Sequence, residues 1–131
     1  MTSLDAIPVN TEVATGNVEP LLHEIRHALR RLAEGDEGTT IDLQSLPLAP
    51  GELEQIEATL GEGEVRAELQ ALGPTLIRET AFPGVWLITH KNADDAVVAR
   101  IIEVSRIPDI LMSQREDIEH GIDKLESQLQ A

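Results

Sequence analysis

Three residues of this 131-residue chain have the types and spacing for metal chemistry: His23, Glu24 and His27, which spell H-E-x-x-H. On a helix the two imidazoles stand one turn apart and can bind zinc, while the glutamate activates a metal-bound water. A small zinc-dependent hydrolase built on His23, Glu24 and His27 is the alternative reading of the chain, and three observations weigh against it. At about 100° per residue, both histidines point away from the apolar stripe Leu22, Ile25, Leu29 and Leu32, toward solvent rather than into a cleft. Arg26 puts a cation inside the motif, close to where a dication would have to sit. With four His and sixteen Glu in the chain, the pattern arises by chance about once in a hundred such sequences. The expectation is therefore no metal site and no catalytic residue.

The second informative segment is Glu79-Thr80-Ala81-Phe82-Pro83-Gly84-Val85-Trp86, which holds the only Phe and the only Trp; there is no Tyr. Phe82-Pro83-Gly84-Val85 fits a type II turn, with proline fixing the first central φ and glycine supplying the positive φ that follows. Trp86, within a strand, is expected in the core. Phe82, on a stiff turn, is placed to face outward as an aromatic anchor for another protein. Arg78, Glu79, Phe82, Pro83 and Gly84 are the expected partner contact. His90 ends a strand, where a lone histidine is ordinarily a surface or turn residue. No G-x-S-x-G and no phosphate-binding glycine loop occurs.

The elements that must position these residues follow from periodicity. Residues 1–17 show neither helical nor strand period and are expected to be a flexible tail; residues 18–131 are expected to form a single domain. Asn17 suits an N-cap, and Pro20 falls in the first turn of a helix that ends at Gly35. Thr39 to Leu43 suits a short strand. A second helix runs from about Pro50 to Leu60, with Leu53, Ile56 and Leu60 as its buried edge, and stops at Gly61. The period then drops to 2: Val65, Ala67, Leu69 and Ala71 alternate with polar residues, as in a half-buried strand. Strands follow over Thr75–Thr80, Val85–Thr89 and Ala96–Val104, and the third of these four, apolar on both faces, belongs in mid-sheet. Ser113-Gln114-Arg115-Glu116 matches a capping box. The final helix carries the narrow stripe Ile118, Ile122, Leu125 and Leu129, which either covers the sheet or makes a homodimer with a second copy. The class is α+β: an antiparallel meander of about four strands packed with two N-terminal helices and one C-terminal helix.

Composition narrows the function classes. Ten Lys and Arg against 24 Asp and Glu give a net charge of −14, which argues against binding nucleic acid or anionic membrane and favours a basic partner. The chain has no Cys, so it has no thiol nucleophile, no disulfide and no Cys-ligated cluster. No apolar run is long enough for membrane insertion, and nothing at the N-terminus marks it for export, so a cytoplasmic location is expected.

Several blocks carry a family resemblance. Ile41-Asp42-Leu43-Gln44-Ser45-Leu46-Pro47-Leu48, Leu60-Gly61-Glu62-Gly63-Glu64-Val65, Ile77 through Trp86, and Ile102-Glu103-Val104 ahead of Pro108 follow in order. Together they resemble the C-terminal domain of the hydrogenase expression/formation proteins of HupH/HyaF type. The resemblance runs from about Leu21 to Leu111, and its most specific block is E-T-x-F-P-G-V-W. It implies a non-catalytic accessory or chaperone protein in nickel–iron hydrogenase maturation, with no cofactor of its own. The implied partner is the precursor of the small, iron–sulfur subunit before assembly or export, with another maturation protein as a further candidate.

Overall fold

The computed structural model describes residues 16–130; the expected tail thus lies almost wholly outside the described residues. Helix α1 spans Val18–Ala33, β1 Thr39–Asp42, α2 Glu52–Leu60, β2 Arg66–Gln70, β3 Pro74–Glu79, β4 Val85–Lys91, β5 Val97–Val104 and α3 Arg115–Gln130, with short 3-10 turns at Leu43–Ser45 and Asp109–Leu111. The five strands form one antiparallel sheet in the order β1-β5-β4-β3-β2. The α+β class holds. The fifth strand is β1, which lies against the last strand (Ile41 opposite Ile102) and lengthens the four-stranded meander by one. The doubly apolar strand β4 is central, as its composition requires.

Helix α1 begins at Asn17, whose carbonyl accepts from the Leu21 N–H. Asn17 occupies the N-cap position, yet its side chain does not cap the helix; the amide donates to the Pro47 carbonyl and ties α1 to the linker before α2. At the other end Gly35, with φ near 103°, lets its N–H reach the Leu32 carbonyl and that of Asp36 reach Arg31, a Schellman stop. The buried face of α1 is Val18, Leu21, Ile25 and Ala28, with Leu22, Leu29 and Leu32 at its margin. The expected stripe is therefore rotated: the small Ala28, not a leucine, faces the sheet and lets the helix approach closely.

Alternation along the strands gives the sheet two different faces. On one, α1 and α2 cover Ile41, Val85, Leu87, Ile102 and Val104, together with the fully buried Ile56 of α2. On the other, Ile77, Trp86 and Ile88 form a smaller cluster with Ala67, Leu69, Ile101 and Leu111 against it. Trp86 is thus buried as expected, but on the face away from the two helices. In β2 only Ala67 and Leu69 are half-buried; Val65 and Ala71 are exposed, because β2 is an edge strand. The last helix starts at Arg115, and the Gln114 carbonyl accepts from the Ile118 N–H. The helix therefore begins one residue later than the Ser113 box would have it. No residue of α3 is buried, and Ile118, Ile122, Leu125 and Leu129 are 52 to 77% exposed. No described helix is long and apolar enough to cross a membrane.

Candidate partner-binding site

The turn between β3 and β4 is built around a side chain that the spacing does not mark. Thr80 is 1% exposed. Its N–H and its hydroxyl both donate to the Val85 carbonyl, at 3.0 and 2.9 Å, and its oxygen accepts from the Phe82 N–H at 3.2 Å. The Val85 N–H closes the turn on the Phe82 carbonyl at 2.9 Å, with Gly84 at a φ of 96°, the geometry expected of Pro-Gly at the centre of a type II turn. A methyl group at Gly84 would stand 3.1 Å from Leu29 and 3.5 Å from Leu32, so the turn is seated on the end of α1. The Gly84 carbonyl accepts from the Ser105 N–H, and the Ser105 carbonyl accepts from the Trp86 indole at 3.0 Å. The turn is held from three sides.

What this scaffold presents is Phe82, 45% exposed, beside exposed Ala81 and Pro83. Arg78 and Glu79 are not brought to that tip. Adjacent in β3, they point to opposite faces of the sheet and brace the glycine-rich link from α2 to β2. Arg78 donates to the Gly61 carbonyl at 2.9 Å, and Glu79 accepts from the Glu64 N–H at 3.0 Å. The link passes so close to β3 that a Cβ on Gly63 would lie 2.3 Å from the Thr80 carbonyl oxygen. Of the five expected contact residues, Phe82 and Pro83 form the tip, Gly84 shapes it, and Arg78 and Glu79 brace the adjacent link.

His23 and His27 are exposed on α1. The Arg26 guanidinium lies between them, 3.3 Å from Nδ1 of His23 and 3.5 Å from Nε2 of His27, in the space a zinc ion would need. No group of three or more His, Asp or Glu among the described residues could hold a metal ion. His90 is taken up by the Thr75 hydroxyl at 2.9 Å on the neighbouring strand.

The turn block is also the most specific block of the sequence resemblance, and direct comparison bears the resemblance out. The family model for the HupH hydrogenase expression protein, C-terminal conserved region, matches residues 15–131. The chain belongs to that family. Among curated relatives of this HupH-type domain, the hydrogenase expression/formation protein HoxQ of Azotobacter vinelandii is 32% identical over 111 residues, 83% of this chain and 39% of the relative. HupH of Rhodobacter capsulatus is 32% identical over 97 residues, 74% of this chain and 35% of the relative. The chain thus spans less than two-fifths of the length of these relatives. A solved structure of the hydrogenase expression protein HupH from Thiobacillus denitrificans is similar with a TM-score of 0.85 and 45% identity, over 89% of this chain and 98% of that one.

Proposed function

We propose that this HupH-type domain is a non-catalytic accessory factor in nickel–iron hydrogenase maturation, acting in the cytoplasm on the small, iron–sulfur subunit before its assembly or export. Family membership supplies the process, and the exposed Phe82 on a fully bonded turn is the observation that carries the contact. An aromatic ring held on a rigid turn loses little conformational freedom on binding, which is how a few residues come to dominate an interface. Gly84 shapes the turn, Arg78 and Glu79 brace the neighbouring link from α2 to β2, and Phe82 and Pro83 make the contact.

The net charge of −14 supports a basic target, such as the paired arginines of an export signal on an unassembled subunit. Charge steers the encounter and weakens with salt, whereas apolar burial of Phe82 persists. The test is a pull-down of precursor and mature small subunit at low and high salt. Preferential capture of the precursor is expected, and equal capture of both forms would reject this function.

A second contact is favoured by the wholly exposed stripe of α3. A 16-residue amphipathic helix with no buried side chain suits a homodimer through that helix.

A further inference from the structure

The face of the sheet that carries α1 and α2 is covered only in part. Beyond α2 lies an open basin of about 510 Å³ over β2, β3, β4 and β5. Its floor includes Leu76, Leu87 and Val97, and Leu76 is 37% exposed. Four of the ten Lys and Arg of the chain line it: Arg66, Arg78, Lys91 and Arg100. Glu57 and Glu68 share the lining; Glu57 is paired with Arg100, and Asp95, outside the lining, is paired with Lys91 at 3.5 Å. Arg66 is exposed and has no ion-pair partner among the described residues. A cationic basin with an aliphatic floor stands out on a molecule of net charge −14.

The chain also holds a segment of the complementary kind. Helix α3 sets Glu119, Asp123 and Glu126 along one flank of the Ile118, Ile122, Leu125 and Leu129 stripe, and carries five acidic residues against one Arg and one Lys. Pairing two α3 helices with each other answers this flank with a single cation, Lys124, beside Asp117, Gly121 and Gln128. The basin answers both the charge and the stripe. The helix does not occupy the basin of its own subunit: no residue of α3 is buried, and the chain places Leu111 on the opposite face of the sheet before α3 begins.

We infer that α3 of a second copy lies in this basin, apolar stripe on Leu76 and Val97 and acidic flank on Arg66 and Lys91, in a reciprocal exchange. The inference rests on the homodimer reading and supplies its docking surface. A 16-residue helix is about 24 Å long and about 10 Å across. Two such helices, each counted on both sides, cover on the order of 1,000 Å² in projection, about the least that a specific interface needs.

Sedimentation of the full chain tests this. Wild type is expected to dimerise. Arg66→Glu with Lys91→Glu should weaken the dimer at least tenfold, and adding Glu119→Arg with Glu126→Arg should restore it. A dimer untouched by the Arg66/Lys91 reversal yet lost in Ile122→Ser would overturn the basin while leaving the α3 dimer standing. A monomer under all conditions would overturn both. Because the chain has no Cys, a second measurement does not depend on the charge variants: a mixture of Glu126→Cys and Lys91→Cys proteins should give the mixed disulfide on mild oxidation. Its absence in a sample that dimerises would likewise overturn the basin.

Discussion

The β3–β4 turn and helix α3 both expose large apolar side chains, but on opposite physical terms. Beneath Phe82 almost every polar group of the turn is satisfied: Thr80, Val85, Gly84, Ser105 and the Trp86 indole form one connected set of hydrogen bonds. Along α3 nothing is buried, and its Arg115–Glu119 ion pair lies within the helix itself. A rigid platform offers one ring at little entropic cost. A free amphipathic helix offers a long stripe whose burial awaits another surface. Substitutions beneath Phe82 in the first region should therefore damage the fold, and substitutions in the second should damage only association.

The largest expected effect lies under the turn. Trp86→Ala removes the ring that joins Ile77 and Ile88 and orphans the Ser105 carbonyl. It should cost about 3–5 kcal/mol in urea unfolding, and a loss below about 1 kcal/mol would show that the turn is not anchored through this residue. Next comes Thr80→Val, which keeps the shape and deletes the hydroxyl at the centre of the turn. A loss of about 1–3 kcal/mol is expected. It should be accompanied by faster amide exchange at Phe82, whose N–H bonds to that hydroxyl; unchanged exchange would mean that the turn holds without Thr80.

On α3 the expectation reverses. Ile118→Ser with Leu125→Ser should change the unfolding free energy of dilute protein by less than about 0.5 kcal/mol, since Ser matches Ile in helix propensity and falls only a little below Leu. The same pair should abolish the dimer in sedimentation, and a marked loss of monomer stability would show that α3 packs on its own domain. The smallest effect belongs to His23→Ala with His27→Ala, exposed residues bridged by Arg26. A change under about 0.5 kcal/mol is expected, and loss of a stoichiometric metal on this substitution would restore the zinc reading.

The contrast also marks what the sequence made legible. Periodicity located the helices and strands, put β4 in the centre and placed the type II turn at Phe82–Val85, because these depend on local backbone preference and on which positions are apolar. The buried face of α1 is rotated from the leucine stripe because Val18 and Ala28, weaker in hydrophobicity, win their places by fit against the sheet. Thr80 gave no signal, since a buried threonine is told from an exposed one only by what surrounds it. The side of the sheet that takes Trp86 was equally hidden, because both faces of β4 are apolar. Arg66, Arg78, Lys91 and Arg100 are spread over 35 positions and meet only through strand register.

Phe82, held outward on the turn, is proposed to grip the unassembled small subunit. The most direct test is the dissociation rate of the precursor from wild type and from Phe82→Ala at high salt, where charge steering is suppressed. Phe82 is 45% exposed, so the variant should fold as wild type does and associate at nearly the same rate. Dissociation should be faster by up to about 30-fold, corresponding to about 2 kcal/mol for a hot spot. An unchanged dissociation rate would contradict the assignment of the turn as the contact.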